Sequence, residues 1–268
     1  MKVAIIAIAK NENLYINEWV EHHLKIGFDK IFVCDNNNSN DEKISDVVNN
    51  EKVTILDYHD VKCVQPLAYT ENFIKYKDEF DWIAFIDIDE YIMLDEKYHN
   101  NIKEFLSEKM FDDVNIVRLF WKILTSDSDF DVSDGNYCVV ERFKDVHISG
   151  EENFVKSIIR GNSEYTTGKI NAHGYFRNMK LKAKTANGEN CDNSDVRIKS
   201  SPIYENAWIN HYPTKTIGEY VRQKYFRGGP NLNGGRYHNL EYFFKYNNED
   251  EKKRKYAEKL IQEKIKNK

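Results

Sequence analysis

The first half of the chain alternates short apolar runs with longer stretches in which apolar residues recur every three or four positions. The apolar runs fall at 3–9, 31–34, 53–56 and 82–86. Runs of this length are typical of strands that are buried on both faces of a sheet. We therefore expect four strands in this half, separated by segments of a different period.

Two of the intervening segments carry helix signals. Asn13 can cap a helix that runs to about Lys25, and Gly27 is suited to end it. Pro66 is suited to open a second helix, which we expect to reach Phe80. The resulting order, β-α-β-β-α-β, predicts an α/β fold with a mostly parallel sheet flanked by helices.

The second half is less regular and ends in a highly charged segment. The strands and helices expected there lie at 115–121, 136–148, 154–160, 214–227 and 247–268. We find no internal repeat or low-complexity linker, so we assign one domain to residues 1–235. Residues 236–268 are expected to form a helical C-terminal extension.

Polar clusters follow three of the predicted strands. They are Lys10–Glu12, Asp35–Asp41 and Asp87–Glu90. The carboxyl ends of parallel strands lie along one edge of a sheet, and α/β proteins bind ligands outside that edge. We therefore expect the three clusters to converge on one site.

The strongest chemical signal is the pair Asp87 and Asp89, which directly follows an apolar strand. Side chains two positions apart on a strand point to the same side, and two carboxylates held together repel each other. A divalent cation relieves that repulsion, and Mg²⁺ and Mn²⁺ take oxygen ligands, often including substrate phosphates. The alternative is a solvated surface turn, but the fully apolar run before the motif favours a metal site.

Composition narrows the function class and the compartment. The net charge of −5 gives no basic footprint for nucleic acid. The four cysteines are scattered without a Cys-x-x-Cys pair, which disfavours zinc-ribbon and redox motifs and favours a reducing cytoplasm. The apolar run at 3–9 is too short to span a bilayer and lacks a cleavage site. We expect a cytoplasmic protein that can work at the inner face of the membrane.

Several motifs occur together in an order that resembles one known family. They are Ala9-Lys10-Asn11-Glu12, Glu18–His23, Gly27, Asp35-Asn36, Ser39–Asp41, Asp87–Tyr91, His211-Tyr212 and Tyr220–Gly228. Together they resemble glycosyltransferase family 92 and the related family 2 enzymes, closely over residues 1–125 and partly over 200–230. The resemblance implies a GT-A type fold and a nucleoside-diphosphate sugar donor, with UDP as the nucleotide. It also implies a divalent cation, Mn²⁺ or Mg²⁺, held by the Asp-x-Asp motif.

Carried onto this chain, the resemblance assigns Asp87 and Asp89 to the metal and the diphosphate. It also implies a histidine late in the chain as a further metal ligand. His211 is the first candidate and His173 is its main competitor. A neutral imidazole is a good ligand for Mn²⁺. The plainer interpretation of His211 is a partly buried histidine that packs beside its neighbours.

The resemblance also places residues beside the nucleoside, at the ends of the first two strands. These residues are Lys10, Asn11, Glu12 and Asp35. A carboxylate there can accept hydrogen bonds from a uracil N–H or from ribose hydroxyls. Judged from the sequence alone, Asp35 is instead a turn residue.

Two basic residues and one acid complete the candidate machinery. Lys224 and Arg227 lie three positions apart on a predicted helix, so they share a face. They either stabilise the charge of a departing diphosphate or form a solvated helix face. The glycines Gly228-Gly229 can let a loop close over the donor. An inverting reaction also needs a carboxylate base, for which we choose Asp127, whereas a retaining enzyme needs no such base.

The predicted function is transfer of a sugar, galactose by family analogy, to a glycan or lipid-linked glycan in the synthesis of a cell-surface polysaccharide. The C-terminal helix, with Leu260 and Ile261 among many lysines, either contacts an anionic membrane surface or packs on the domain. One alternative function is another divalent-metal phosphate enzyme, a nucleotidyltransferase or phosphohydrolase, but the chain lacks a Gly-rich phosphate loop. The other is a non-catalytic sugar-binding module, which would not need the Asp-x-Asp motif.

Overall fold

The computed structural model describes residues 1–125, 129–132, 135, 137–161, 170–171, 173–174, 181–227 and 238–266. The strands are β1 (Val3–Ala9), β2 (Lys30–Asp35), β3 (Val53–Asp57), β4 (Trp82–Phe85), β5 (Glu90–Leu94), β6 (Ile116–Thr125), β7 (Asp145–Val146), β8 (Val155–Arg160), β9 (Ala183–Thr185), β10 (Asn190–Cys191) and β11 (Ala207–His211). The helices are α1 (Ile16–Lys25), α2 (Ile44–Val47), α3 (Gln65–Tyr76), α4 (Ile102–Leu106), α5 (Val139–Arg142), α6 (Ile217–Tyr220), α7 (Leu240–Tyr246) and α8 (Glu251–Lys266). This mixture confirms the predicted α/β class.

The chain divides into two compact units. The first comprises residues 1–122 and 150–211, and the second comprises 123–149 and 212–268. The domain division expected at residue 235 falls inside the second unit, because helices on both sides of it share one apolar cluster.

The first unit is built on a sheet with the strand order β10-β9-β6-β8-β4-β1-β2-β3. β1 pairs in parallel with β2 and β4, and β2 pairs in parallel with β3. β8 runs antiparallel to β4 and β6, so the parallel half expected from the sequence is followed by a mixed half. The chain leaves β1 toward β2 and β3 and then returns to the other side of β1 for β4. Sheets with such a reversal bind ligands outside the carboxyl edge at that point.

The apolar runs of the first half form the core of this unit. Val3–Ala9 is a strand, as predicted, and most of its side chains have no exposed surface. α3 packs against the sheet through Ala68, Tyr69 and Phe73, which share an apolar cluster with Phe85 of β4. Burying each large apolar side chain contributes about 1.5–3 kcal/mol. This packing fixes where α3 begins, next to the carboxyl edge of the sheet.

α1 begins later than its predicted cap. It spans Ile16–Lys25 and does not start at Asn13, so the capping prediction is wrong. The reason is that the Asn13 side chain bonds to the loop after β2, where it accepts from Asn37 Nδ2 at 2.9 Å and donates to Glu42 Oε2 at 3.0 Å. Gly27 follows the helix with a φ of +100°, a conformation that glycine adopts readily.

β5 begins at Glu90, the last residue of the run Asp87–Glu90, and no sequence pattern predicted this strand. One edge of β5 pairs antiparallel with β11. Side chains of α1 meet its other edge. Trp19 Nε1 donates to the Glu90 carbonyl at 2.7 Å, and His22 Nε2 donates to the Ile92 carbonyl at 2.8 Å. His23 Nε2 accepts from the Ile92 N–H at 3.2 Å, so the helix supplies hydrogen bonds that a neighbouring strand would normally provide.

The second unit has its own apolar cluster. Its buried members are Ile217, Tyr220, Val221, Leu240, Phe243, Ala257 and Ile261. Ala257 and Ile261 of α8 are thus buried in this unit and Leu260 packs against them, in agreement with one of the two sequence interpretations, whereas Ile265 is exposed. Asp131 accepts from the Tyr256 hydroxyl at 2.8 Å and pairs with Arg222. These contacts join the segment around Asp131 to the segments that contain Arg222 and Tyr256.

The prediction that residues 136–148 form a strand is wrong. The described residues of this segment form α5 and β7 instead. Arg142, at the end of α5, donates to the buried Glu219 carboxylate at 2.6 Å, and this pair favours a helical turn over an extended strand. Across the described residues, no helix combines the length and the apolar character needed to cross a bilayer.

Candidate active site

The first two polar clusters converge at the carboxyl edge, as predicted. Ala9 lies beside Asp35 in the β1–β2 register, and the Asn36 N–H donates to the Ala9 carbonyl at 2.8 Å. The Asn11 N–H donates to Asn37 Oδ1 at 2.7 Å. Asn11 has a φ of +58°, a left-handed conformation that asparagine tolerates better than most residues. The two loops thus form one hydrogen-bonded wall.

Asp35 lies inside this wall. It is 1% exposed, and its carboxylate accepts from the Asn37 N–H at 3.0 Å and from the Ile44 N–H at 2.8 Å. His59 Nε2 lies 3.1 Å from Asp35 Oδ2, and its Nδ1 lies 2.7 Å from Asp57 Oδ1. Asp35 therefore has the turn role that its sequence context indicated. A direct contact with a nucleoside stays a prediction.

The loop after β1 presents only part of its polar cluster. Glu12 is buried, and its carbonyl accepts from the N–H groups of Tyr15 and Ile16 where α1 begins. Lys10 and Asn11 are half-buried. Within this polar cluster, Lys10 and Asn11 are therefore the residues with exposed surface.

Three carboxylates after β4 form what we call the acidic cluster: Asp87, Asp89 and Glu90. Asp87 Oδ1 accepts from Gln65 Nε2 at 2.6 Å and from the Tyr69 hydroxyl at 3.3 Å. Asp87 Oδ2 lies 2.7 Å from Lys156 Nζ. Gln65 and Tyr69 belong to α3 and Lys156 belongs to β8, so two elements that flank β4 hold the Asp87 side chain in place.

Glu90 is the most buried member of the acidic cluster, with no exposed surface. Its Oε2 accepts from the Asp87 N–H at 3.0 Å and lies 3.3 Å from Lys156 Nζ. Burial raises the pKa of Glu90 to about 8; Lys156 opposes this rise, and the charges of Asp87 and Asp89 add to it. Burial also works against the charge of Lys156, but Asp87 and Glu90 outweigh it and raise the Lys156 pKa. Both pKa values are therefore raised above their ordinary values, and Lys156 is the cation of this group.

His211 faces Asp89 because β11 pairs with β5. The register sets His211 opposite Glu90, and its Nε2 lies 3.8 Å from Asp89 Oδ2, which is longer than a hydrogen bond. The centroid of the Trp121 ring lies 4.2 Å from that of the imidazole. In an octahedral shell with ligands about 2.1 Å from Mg²⁺, neighbouring ligands lie about 3.0 Å apart and opposite ligands about 4.2 Å apart. The separation of 3.8 Å lies between these values, so Asp89 and His211 are near enough to share a cation after a small side-chain shift.

His173, the competing histidine, is engaged by β8. Its Nδ1 donates to the Val155 carbonyl at 2.9 Å, and its ring stacks on Phe154 with centroids 5.4 Å apart. Burial, and then the charge of Lys156, lower the pKa of His173 to about 3. The ring is therefore neutral. Within the described part of the chain, no three His, Cys, Asp or Glu side chains are already grouped as a metal cage.

The remaining predicted site residues lie in the second unit or outside the described residues. Lys224 is buried, and its Nζ donates to the Pro213 carbonyl at 2.6 Å. Arg227 is half-buried. Asp127 and Gly228-Gly229 lie outside the described residues. The roles given to these residues stay predictions.

Sequence reasoning missed the residues that hold Asp87. For Lys156 a signal existed, because it is a single lysine among the apolar residues of β8, and lysine is almost never fully buried unless it is paired. For Gln65 and Tyr69 the signal is weaker. They lie four positions apart and so share a helix face, but only the packing of α3 shows what that face meets.

One protein-family model, described as Glycosyltransferase family 92, matches residues 3–266. No curated protein matches the chain. Among solved structures, TarS of S. aureus, residues 1–349 in complex with UDP-GlcNAc, matches at 16% identity with a TM-score of 0.33. That match covers 50% of this chain and 37% of TarS 1–349.

Two further solved structures match in part. The galactosyltransferase LgtC, in complex with donor and acceptor sugar analogues, is 13% identical with a TM-score of 0.25, over 44% of this chain and 46% of that chain. HddC from Yersinia pseudotuberculosis is 16% identical with a TM-score of 0.31, over 65% of this chain and 75% of that chain. The match thus spans less than half the length of TarS 1–349 and of LgtC.

Proposed function

The chain belongs to glycosyltransferase family 92, and from this premise we propose that it is a GT-A type glycosyltransferase that transfers a sugar from a UDP-sugar with the help of a divalent cation. The observation that carries the proposal is the acidic cluster at the carboxyl edge beside the β1–β4 reversal, with His211 Nε2 3.8 Å from Asp89 Oδ2. That is the edge at which sheets of this topology bind their ligands.

In the proposed complex, Asp87, Asp89 and His211 would hold the cation, and oxygens of the donor diphosphate would be further ligands. Mg²⁺ and Mn²⁺ favour such mixed shells of carboxylate, phosphate and water. A bound cation would stabilise the charge that develops on the departing diphosphate. The chain's own contribution is to fix the ligands, through Trp121 beside His211 and Lys156 beside Asp87.

The other predicted residues have separate proposed roles. The residues proposed to flank the nucleoside are Lys10, Asn11, Glu12 and Asp35. Lys224 and Arg227 are proposed to offset the charge of the diphosphate. Asp127 is proposed as the base that removes the proton from the acceptor hydroxyl, which implies inversion at the sugar carbon.

We further propose a glycan or lipid-linked glycan as the acceptor, in the synthesis of a cell-surface polysaccharide on the cytoplasmic side of the membrane. Galactose is the sugar that the family analogy favours. Since Ala257 and Ile261 of α8 are buried in the second unit, a contact with anionic lipid would use the exposed lysines of this helix. These include Lys252, Lys255 and Lys259.

The test is a calorimetric titration of UDP into the protein with Mn²⁺ and with EDTA. We expect binding in Mn²⁺ that weakens at least tenfold in EDTA and in the Asp89→Ala variant, because the ion links the carboxylate to the diphosphate. Asp78→Ala is the matched control, since Asp78 is an exposed carboxylate beside Lys77. It should bind UDP like the wild type.

The absence of UDP binding in both conditions would overturn the UDP-sugar proposal. Other nucleoside diphosphates would then be titrated in the same way. UDP binding that is equal in Mn²⁺ and in EDTA would leave the donor class standing and refute the role of the cation.

A further inference from the structure

Lys156 is a charged side chain in a place where charge is costly. It is 1% exposed on β8, between β4 and β6, where its neighbours along the strand are Val155 and Ser157, neither of which carries a charge. A buried ammonium persists only where nearby charges and hydrogen bonds replace the water it has lost. The partners of Lys156 therefore indicate what the residue is for.

Those partners belong to the acidic cluster. Lys156 Nζ lies 2.7 Å from Asp87 Oδ2 and 3.3 Å from Glu90 Oε2. The ammonium thus stands between two carboxyl groups, within ion-pair distance of both. The remaining carboxylate, Asp89, has His211 at 3.8 Å. Asp87 and Glu90 therefore have the Lys156 ammonium as their cation, whereas Asp89 faces the imidazole of His211.

We propose that Lys156 is a resident cation of the acidic cluster and a positioning residue for the transfer reaction. It fixes Asp87 and Glu90, and it keeps a divalent ion from binding between them. The ion is thereby directed away from Glu90 and toward Asp89 and His211, with Asp87 shared between the ion and the ammonium. The inference rests on the proposed function for the identity of that ion as the metal of the donor site.

The test is titration of Mn²⁺ alone, and then of UDP in Mn²⁺, into three variants by calorimetry. Lys156→Met removes the charge and keeps the length, Lys156→Gln removes the charge and keeps hydrogen-bond donors, and Lys156→Arg keeps the charge. In the Met and Gln variants we expect Mn²⁺ to bind at least tenfold more tightly, because the competing charge is gone. We expect UDP to bind at least tenfold more weakly, because the ion is misplaced.

The opposite directions of these two changes separate positioning from simple damage, which would weaken both. Lys156→Arg should restore both affinities to near the wild-type values. Lys184→Met is the matched control, since Lys184 is a half-buried lysine of β9 that donates to the Met110 carbonyl, and two strands lie between β9 and β4. It should change neither affinity.

Mn²⁺ affinity that is unchanged or weaker in folded Lys156→Met would overturn the inference. If the Met and Gln variants are unfolded without added Mn²⁺, the melting temperature in excess Mn²⁺ tests the inference instead. The inference expects Mn²⁺ to restore folding, and a failure to do so would refute it. A wild type that binds no Mn²⁺ while Lys156→Met does would sustain the inference and refute the proposed metal dependence. The reverse pattern would refute the inference alone.

Discussion

Single residues at the carboxyl edge differ sharply in how burial changes their chemistry. Asp35 is buried, and its side chain accepts two backbone hydrogen bonds that order the loop after β2. Glu90 is buried beside other acids, so its environment favours the protonated form. Two acids on one edge therefore have different tasks. The first orders a loop, and the second contributes to the acidic cluster without adding a full charge.

The raised pKa of Glu90 predicts a pH dependence of stability. Between about pH 4.5 and pH 8 the folded protein binds this proton and the unfolded chain does not. The contribution of Glu90 to stability is therefore present at low pH and is lost as the pH rises toward 8. Glu90→Gln removes this titration, so its free energy of unfolding should fall less than that of the wild type between about pH 5.5 and pH 8.5. We expect a difference of about 1 kcal/mol or more.

Urea unfolding at the two pH values measures this difference. Glu79→Gln, a substitution at an exposed carboxyl after α3, is the control and should follow the wild type. Identical pH slopes for Glu90→Gln and the wild type would contradict the assignment of the titration to Glu90.

His211 gives a second prediction at this scale. His211→Ala should weaken UDP binding in Mn²⁺ by about tenfold or more and leave UDP binding in EDTA unchanged. The reason is that, in the proposed complex, the imidazole acts on the nucleotide only through the ion. Calorimetry in the two conditions measures the effect. His99→Asn is the control, since His99 is exposed and has a left-handed backbone that asparagine tolerates. An equal loss in Mn²⁺ and EDTA would mean that His211 supports the fold and does not bind the ion.

At the scale of elements, the site depends on how α1 is joined to β5. Trp19 has no exposed surface, and its Nε1 donates to the carbonyl of Glu90. Glu90, whose carboxyl group belongs to the acidic cluster, is thus held through its backbone carbonyl by a residue of α1. This hydrogen bond links the packing of α1 to the geometry of the acidic cluster.

Trp19→Phe tests that link. The substitution leaves the buried Glu90 carbonyl without its donor, so we expect a loss of about 1–3 kcal/mol in the free energy of unfolding, measured in urea. Trp208→Phe is the matched control, because the half-buried Trp208 donates to the Asn210 side chain and its loss leaves no buried group unpaired. A cost for Trp19→Phe no larger than that of the control would refute the role of this hydrogen bond.

The elements that could be predicted from the sequence are those whose signal is local. β1, β2 and β4 are apolar runs because both faces of each strand are covered, whereas β3, at the edge of the sheet, is only half-buried. Asp87 and Asp89 stand out because they end such a run. β5 was missed because it begins with an acid and takes hydrogen bonds from side chains of a distant helix. The pairing of Lys156 with Asp87, 69 positions apart, depends on the register of β8 against β4, which no local pattern encodes.

At the scale of the whole molecule, the second unit joins segments from two separate parts of the chain. Its apolar cluster includes Ile217 and Tyr220 before residue 235 and Phe243, Ala257 and Ile261 after it. The sequence division at residue 235 treats the last part as an extension, whereas the cluster makes it part of a core.

A fragment of residues 1–235 distinguishes these two views. Because α7 and α8 bury part of the cluster, we expect the fragment to unfold at a temperature at least several degrees lower than the full chain, with exposed apolar surface that binds a hydrophobic dye. A fragment of residues 1–264 keeps the buried residues of α8 and should behave like the full chain. If residues 1–235 melt like the full chain, the division at residue 235 stands.

The way in which β5 is closed has one more consequence. Backbone groups at the free edge of a strand are a template on which another copy of the chain can add a strand. In this protein three side chains of α1 occupy that edge, so its protection depends on single residues. Substitutions at Trp19 or His22 should therefore first appear as aggregation during expression, before any loss of catalytic rate is seen in the protein that stays in solution.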